Sequence, residues 1–360
     1  MSIKKFNFLP DSSLLSKWGS ERQPFFALFA FDGRLAATTI PQKAALSGKS
    51  AGSALQLGHC AMHFAGFSAK QDIHASTRRP DSPTPGLAME NHSSPQTSAA
   101  EFHSRYALEI LTPPNRHQVV SAIHALQAEM QAGRSYLVNY CSQTGVRLNL
   151  PPERLFERSA APFTVWLESE FISFSPEAFV SVSGDTIFTN PMKGTGPDAA
   201  ALLADAKEQA EHATVVDLLR NDLGRVATGV KIEDYRFVSR IERESGPLFQ
   251  TSTRISGRLP PDWRDHLGEW LPMLLPAGSI SGAPKQETLQ LIRQSETESR
   301  GFFTGVAVLF DGENLQSAVL IRYLDLSQPQ VRFRSGAGVT IYSDPEAEYA
   351  EILSKVYVPL

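Results

Sequence analysis

Four glutamates repeat one spacing at two distant places in the chain. Glu208 and Glu211 stand three residues apart in Lys207-Glu208-Gln209-Ala210-Glu211-His212. Glu348 and Glu351 do so near the C-terminus, with Lys355 four residues further on. In a helix, residues at i, i+3 and i+7 share a face, so each pair would present two carboxylates side by side. Like charges in adjacent turns repel unless a cation sits between them. Two such pairs could converge on one hard divalent ion, and Mg²⁺, which prefers oxygen ligands, suits that donor set. On spacing alone, solvated helix faces with an i,i+4 Glu351–Lys355 pair are the leading alternative.

Three glycine-rich segments accompany the carboxylates: Lys193-Gly194-Thr195-Gly196, Gly278-Ser279-Ile280-Ser281-Gly282 and Gly336-Ala337-Gly338. Read as loops, they would offer backbone N–H groups to anions, carboxylates included. Singly, each is more often just a turn. None has the spacing of a P-loop or a dinucleotide fingerprint, so nucleotide binding has no support. Arg322 follows the apolar run Ala318-Val319-Leu320-Ile321. It could clamp a carboxylate bidentately or be a simple strand-end charge.

The elements that must position these groups are strands joined by hairpins, with helices between them. Phe179–Val182 and Thr186–Phe188 flank Ser183-Gly184-Asp185, and Thr304–Phe310 and Leu315–Arg322 flank Asp311-Gly312-Glu313-Asn314. A third pair is expected to straddle Gly336-Ala337-Gly338. Amphipathic spacing predicts a helix over 117–132, another from Asp198 to Gly224 and a third from about Pro284 to Gln294. A last helix starts at Asp344-Pro345, an N-cap followed by proline at the first helical position. Hairpins interspersed with helices argue for an α+β fold. The N-terminal part reads as short strands, including the run from Pro24 to Phe31. The Pro-, Ser- and Thr-rich stretch 78–100 reads as a flexible linker or surface loop, which divides a segment 1–100 from a main domain 101–360.

Composition excludes several classes. Of 360 residues, 34 are Lys or Arg and 38 Asp or Glu, a formal charge of −4 with no basic block, which speaks against nucleic acid. Cys60 and Cys141 are the two cysteines, too few for a disulfide framework or a zinc site. No apolar run is long enough for a membrane span and the N-terminus lacks a secretory segment, so the cytoplasm is the expected compartment.

Taken together, five ordered segments resemble the chorismate-utilising family that includes anthranilate synthase, isochorismate synthase and aminodeoxychorismate synthase component I. They are Asn190-Pro191-Met192-Lys193-Gly194-Thr195, the Lys207–His212 segment, Asp217-Leu218-Leu219-Arg220-Asn221-Asp222-Leu223-Gly224-Arg225, Pro276–Lys285, and Ser335-Gly336-Ala337-Gly338 through Asp344–Tyr349. The resemblance implies a two-sheet antiparallel β-sandwich core flanked by helices, with the active site between the halves. It implies a Mg²⁺ site at Glu208, Glu211, Glu348 and Glu351 that binds the ring carboxylate of chorismate. Thr195, Gln250, Ser279, Phe303, Arg322, Lys355 and the backbone at Gly336 and Gly338 would hold the substrate.

Lys193 is similar to the lysine of aminodeoxychorismate synthases, where anthranilate synthases carry alanine. There the amine is thought to add at ring carbon 2 while the hydroxyl at carbon 4 leaves. Free lysine has a pKa of about 10.4, so the amine is expected to lie well below that value to attack at neutral pH. Glu177, in Ser175-Pro176-Glu177, matches the family carboxylate that assists the hydroxyl as general acid. The resemblance implies ammonia delivered by a separate glutamine amidotransferase subunit and a product that feeds 4-aminobenzoate and folate synthesis. Four positions depart from the family pattern: Gln250 for a histidine, Leu137 for a glutamine, Phe303 for a tyrosine and Gly196 for an arginine. Anthranilate synthase component I and a chorismate-binding protein without turnover are the rival readings.

Overall fold

The run Phe25–Phe29 becomes a strand buried on both faces, because successive side chains point to opposite sides of a sheet. Phe25, Ala27 and Phe29 enter one apolar core, while Phe26 and Leu28 enter another. A computed structural model describes residues 7–9, 11–40, 55–57, 60–64, 107–241 and 248–360. The stretch 78–100 lies outside them.

Two antiparallel sheets dominate. One has ten strands, in the order Asn7–Leu9, Leu35–Thr39, Phe25–Phe29, Val306–Phe310, Leu315–Val319, Ala178–Ser183, Thr186–Thr189, Leu248–Arg258 and Met192–Gly196, with Thr228–Ile241 also paired to Leu248–Arg258. The other has nine, in the order Gly282–Ala283, Leu137–Leu148, Arg332–Val339, Tyr323–Asp325, Phe171–Ser175, Phe163–Leu167, Cys60–Phe64 and Leu55–Leu57, with Leu108–Thr112 beside Leu137–Leu148. Phe26, Leu28 and Leu309 from the first sheet meet Met62, Val165 and Phe171 from the second in one shared core. Helices cover the outer faces. Leu219 and Leu223 of Ala206–Gly224 pack on the first sheet with Trp263 and Trp270, and Val119, Ile123, Leu291 and Ile352 pack on the second. The α+β sandwich flanked by helices is therefore present.

Three local expectations change. The segment around Gly336 is no hairpin: Arg332–Val339 is one strand whose side chains alternate between half-buried and buried, laddered along Leu137–Leu148. Its glycines admit close approach, since a Cβ at Gly336 would lie 2.7 Å from Cys141 Sγ and 2.8 Å from Tyr140 O. Lys193 likewise sits in a strand, Met192–Gly196, not in a loop. The helix expected over 198–224 is two, Ala199–Ala204 and Ala206–Gly224. Asp205 breaks it with an extended ψ of 112°. Elsewhere chemistry and conformation agree, as at Asp344, whose carboxylate accepts from the N–H groups of Glu346 and Ala347.

The Ala206–Gly224 helix is anchored near its C-terminal end. Lys285 Nζ lies 2.8 Å from Asp222 Oδ2 and also donates to Leu274 O at 3.1 Å, with both partners largely buried. Replacing Lys285 by methionine strands a buried carboxylate, which should lower unfolding free energy by about 3 kcal/mol in a denaturant titration.

Candidate active site

A cavity of about 190 Å³ opens between the sheets, and its wall includes Glu177, Lys193, Ser279, Phe303, Arg322, Gly336, Gly338, Glu351 and Lys355. Residues separated by more than a hundred positions are thus brought together. Gln250, Glu208, Glu211 and Glu348 are not on this wall. Gln250 pairs with Thr195 of the lysine strand across the neighbouring strands.

Lys193 is turned out of its ladder by an irregularity between Met192 and Thr195, where Gly194 takes a φ of +78°. A Cβ there would lie 2.7 Å from Glu208 Oε2, so the glycine also makes room for that carboxylate. The Lys193 ammonium stands 2.8 Å from Glu211 Oε2. Burial works to lower the lysine's pKa, yet the Glu211 carboxylate outweighs it with help from Glu351 and Glu208. The amine is held above its ordinary value, the reverse of the expectation from burial alone.

Glu177 behaves oppositely. Desolvation pushes its carboxyl up, and the hydrogen bond from Ser279 Oγ at 2.5 Å with the charges of Lys355 and Lys193 only partly offsets this. Its backbone N–H donates to Ser175 Oγ at 3.1 Å, fixing the turn through Pro176. The site therefore pairs a carboxyl and an amine that are both shifted above their ordinary pKa values, the first by desolvation and the second by the Glu211 carboxylate against its own desolvation.

The final helix supplies the opposite wall. Lys355 Nζ is 2.6 Å from Glu351 Oε1 and donates to Gly336 O at 2.6 Å. Burial pushes the Glu351 carboxyl up, but Lys355 beside it, Lys193 and a hydrogen bond with Glu348 bring it below its ordinary value. Arg322 lies in a bend at φ +51°, donates to Lys355 O at 2.9 Å and faces the Tyr357 ring at 4.7 Å. A non-glycine residue in that region is costly and persists only where its surroundings demand it.

Among the described residues, no three His, Cys, Asp or Glu side chains stand close enough to hold a metal ion as placed. The donor chemistry nonetheless fits Mg²⁺. Two helices direct carboxylates towards the Lys193 and Lys355 ammonium groups, so cations already balance these charges.

Sequence reading missed two residues that shape the wall. Asn139 lines the cavity and accepts from Cys141 Sγ at 3.2 Å. Arg300, 4% exposed, donates to Asn139 O at 2.6 Å, to Ile280 O at 2.9 Å and to Thr304 Oγ1 at 3.3 Å, and pairs with Glu296 at 2.6 Å. It holds three segments of the cavity wall at once. Nothing in Ser299-Arg300-Gly301 signals a buried cation, and the i,i+4 spacing of Glu296 and Arg300 is that of an ordinary surface pair.

The fold and the residues gathered at this cavity define a chorismate-binding enzyme. The profile of the chorismate binding enzyme family matches residues 4–360, and the chain belongs to that family. It is 38% identical over 350 residues to an uncharacterized PabA-like protein of Pasteurella multocida, covering 96% of this chain and 97% of that one. It is 30% identical over 281 residues to aminodeoxychorismate synthase component 1 of Bacillus subtilis, covering 73% of this chain and 59% of that one. The structure of anthranilate synthase component I from Streptococcus pneumoniae shares the fold, with a TM-score of 0.64 at 20% identity over 99% of this chain and 82% of that one.

The raised pKa of Glu177 has a stability consequence. As pH rises above the ordinary value of 4.5, the unfolded chain releases this proton before the folded one, so folding weakens through that window. A Glu177→Gln variant lacks this loss. Its denaturant midpoint should gain on the wild type between pH 4.5 and neutrality and stop gaining once the folded carboxyl has titrated.

Proposed function

We propose that this chain is the ammonia-using component of an aminodeoxychorismate synthase, converting chorismate and ammonia to 4-amino-4-deoxychorismate and water. The observation that carries this reading is that Lys193 and Glu177 line one cavity together with Arg322 and Lys355. A dicarboxylate needs cations, and these two can take its carboxylates while Ser279 and Glu177 meet its hydroxyl. The reading places the chain in the cytoplasm, on the 4-aminobenzoate and folate route, with a glutamine amidotransferase subunit as its ammonia source.

In this mechanism the uncharged form of Lys193, its ammonium proton released to water, bonds through Nζ to ring carbon 2 as the two ring double bonds shift. The hydroxyl leaves carbon 4 as water, with a proton from Glu177 that the new secondary amine then restores. Ammonia bonds to carbon 4, the bond to Lys193 breaks, and a proton passes from the incoming nitrogen to the departing lysine. Phe303, 3% exposed, and Ile321 keep one wall apolar and restrict competing water. Mg²⁺ held by Glu208, Glu211, Glu348 and Glu351 would neutralise charge at the ring carboxylate. Because the step needs Lys193 uncharged and Glu177 protonated together, the rate at fixed free ammonia should climb with pH up to the Glu177 pKa and stay level from there to the lysine's.

Incubation with chorismate, Mg²⁺ and an ammonium salt should give 4-amino-4-deoxychorismate without any partner, whereas glutamine should serve only when the amidotransferase is added. An anthranilate product would assign the chain to the carbon 2 chemistry instead. With ammonia withheld, the peptide carrying Lys193 should gain the mass of a chorismate adduct. Lys193→Ala should cost about three powers of ten in rate, or about 4 kcal/mol of barrier. Near wild-type formation of the same product by that variant would reduce the lysine to a clamp.

Metal dependence is a separate test. Excess EDTA should stop turnover, as should Glu351→Gln or Glu211→Gln. Undiminished rates in EDTA would remove Mg²⁺ from the reaction.

A further inference from the structure

His212 follows Glu211 directly, yet its side chain belongs to another network. The imidazole is fully buried, and its Nε2 lies 2.6 Å from Thr253 Oγ1. That hydroxyl also accepts from the Arg236 N–H at 3.0 Å. The Thr253 backbone N–H donates to Pro191 O at 3.0 Å, two residues ahead of Lys193, and the Thr251 hydroxyl donates to the carbonyl of Lys193 itself. One strand, Leu248–Arg258, thus grips the carboxylate helix through His212 on one side and the lysine strand on the other. The Glu211–Lys193 contact of 2.8 Å spans those two gripped elements.

The other imidazole nitrogen, Nδ1, is buried and finds no hydrogen-bond partner among the described residues. A half-satisfied polar ring is a poor choice for stability, because a leucine in that space would remove the orphaned Nδ1 and leave Thr253 Oγ1 its bond from the Arg236 N–H, at the cost of the bond to Nε2. The histidine therefore has a role other than packing. Lys285 and Asp222 already anchor the far end of the same helix, so the second anchor fixes the turn that carries Glu208 and Glu211.

We propose that His212 is a positioning residue: through Thr253 it sets the carboxylate turn of the Ala206–Gly224 helix against the Lys193 strand and so aims the lysine amine. The catalytic part of this proposal rests on the function inferred for Lys193; the geometric part does not. A displacement of this turn by about 1 Å should be felt in the chemical step far more than in substrate binding, with kcat falling about 100-fold.

The test uses His212→Leu and His212→Gln in the full chain. His212→Leu should melt close to the wild-type temperature, lose about 100-fold in kcat and keep KM for chorismate within about twofold. His212→Gln, which can place a donor near the position of Nε2, should recover at least a tenth of the lost rate. Independently of turnover, a small acylating reagent followed by peptide mass spectrometry should modify Lys193 several-fold faster in His212→Leu than in wild type, with exposed Lys231 as internal reference. A leucine variant with wild-type kcat and wild-type Lys193 labelling would overturn the proposal. So would a fall in melting temperature that accounts for the lost activity. If the wild type consumes no chorismate, the proposed activity fails, and the labelling ratio and melting temperature still decide the role of His212.

Discussion

Charge balance around the Lys193 ammonium is the constraint on which the site depends. Burial works against the proton of this half-buried lysine. The amine keeps it because Glu211 lies at hydrogen-bond distance, with Glu351 and Glu208 adding to the field. The same balance runs through the opposite wall, where Lys355 answers Glu351 and a shared hydrogen bond links Glu351 to Glu348. Removing any one of these charges leaves its partner unanswered, so the cluster has to be understood as one electrostatic unit.

The sandwich exists, in effect, to bring the pieces of that unit together. Lys193 comes from an edge of the ten-stranded sheet, Gly336 and Gly338 from the middle of the nine-stranded one, and the carboxylates from helices on the two outer faces. Arg300 closes the join by donating to Asn139, Ile280 and Thr304 while lying 4.4 Å from the centre of the Phe31 ring. A buried guanidinium with its donors satisfied can lock loops that apolar packing alone would leave free to slide.

Much of this was legible in the residues. The helix over Arg116–Gln131, the hairpins around Gly184 and Gly312 and the cap at Asp344 follow from periodicity and turn chemistry, which are local properties. The ordered motifs pointed to the family, and of the site residues that the resemblance implied, Glu177, Lys193, Ser279, Phe303, Arg322, Glu351 and Lys355 line the cavity while Glu208, Glu211, Gln250 and Glu348 do not. The third hairpin failed because glycine marks two different needs. Turn chemistry uses its positive φ, whereas Gly336 uses its missing Cβ to let Cys141 and Tyr140 approach an unbroken strand. Sequence cannot tell these apart without knowing what lies opposite.

By itself, then, the sequence determined the α+β class, the elements that local rules govern, and the membership carried by motif order. Only the tertiary structure decided the protonation of the site. Burial predicts a lowered lysine pKa, and that prediction reverses because Glu211 sits 18 positions away in the chain and 2.8 Å away in space. The roles of Arg300 and His212 were hidden for the same reason. A buried polar side chain is defined by its partners, and those partners, Asn139 and Thr253 among them, are set by the fold rather than by neighbours in sequence.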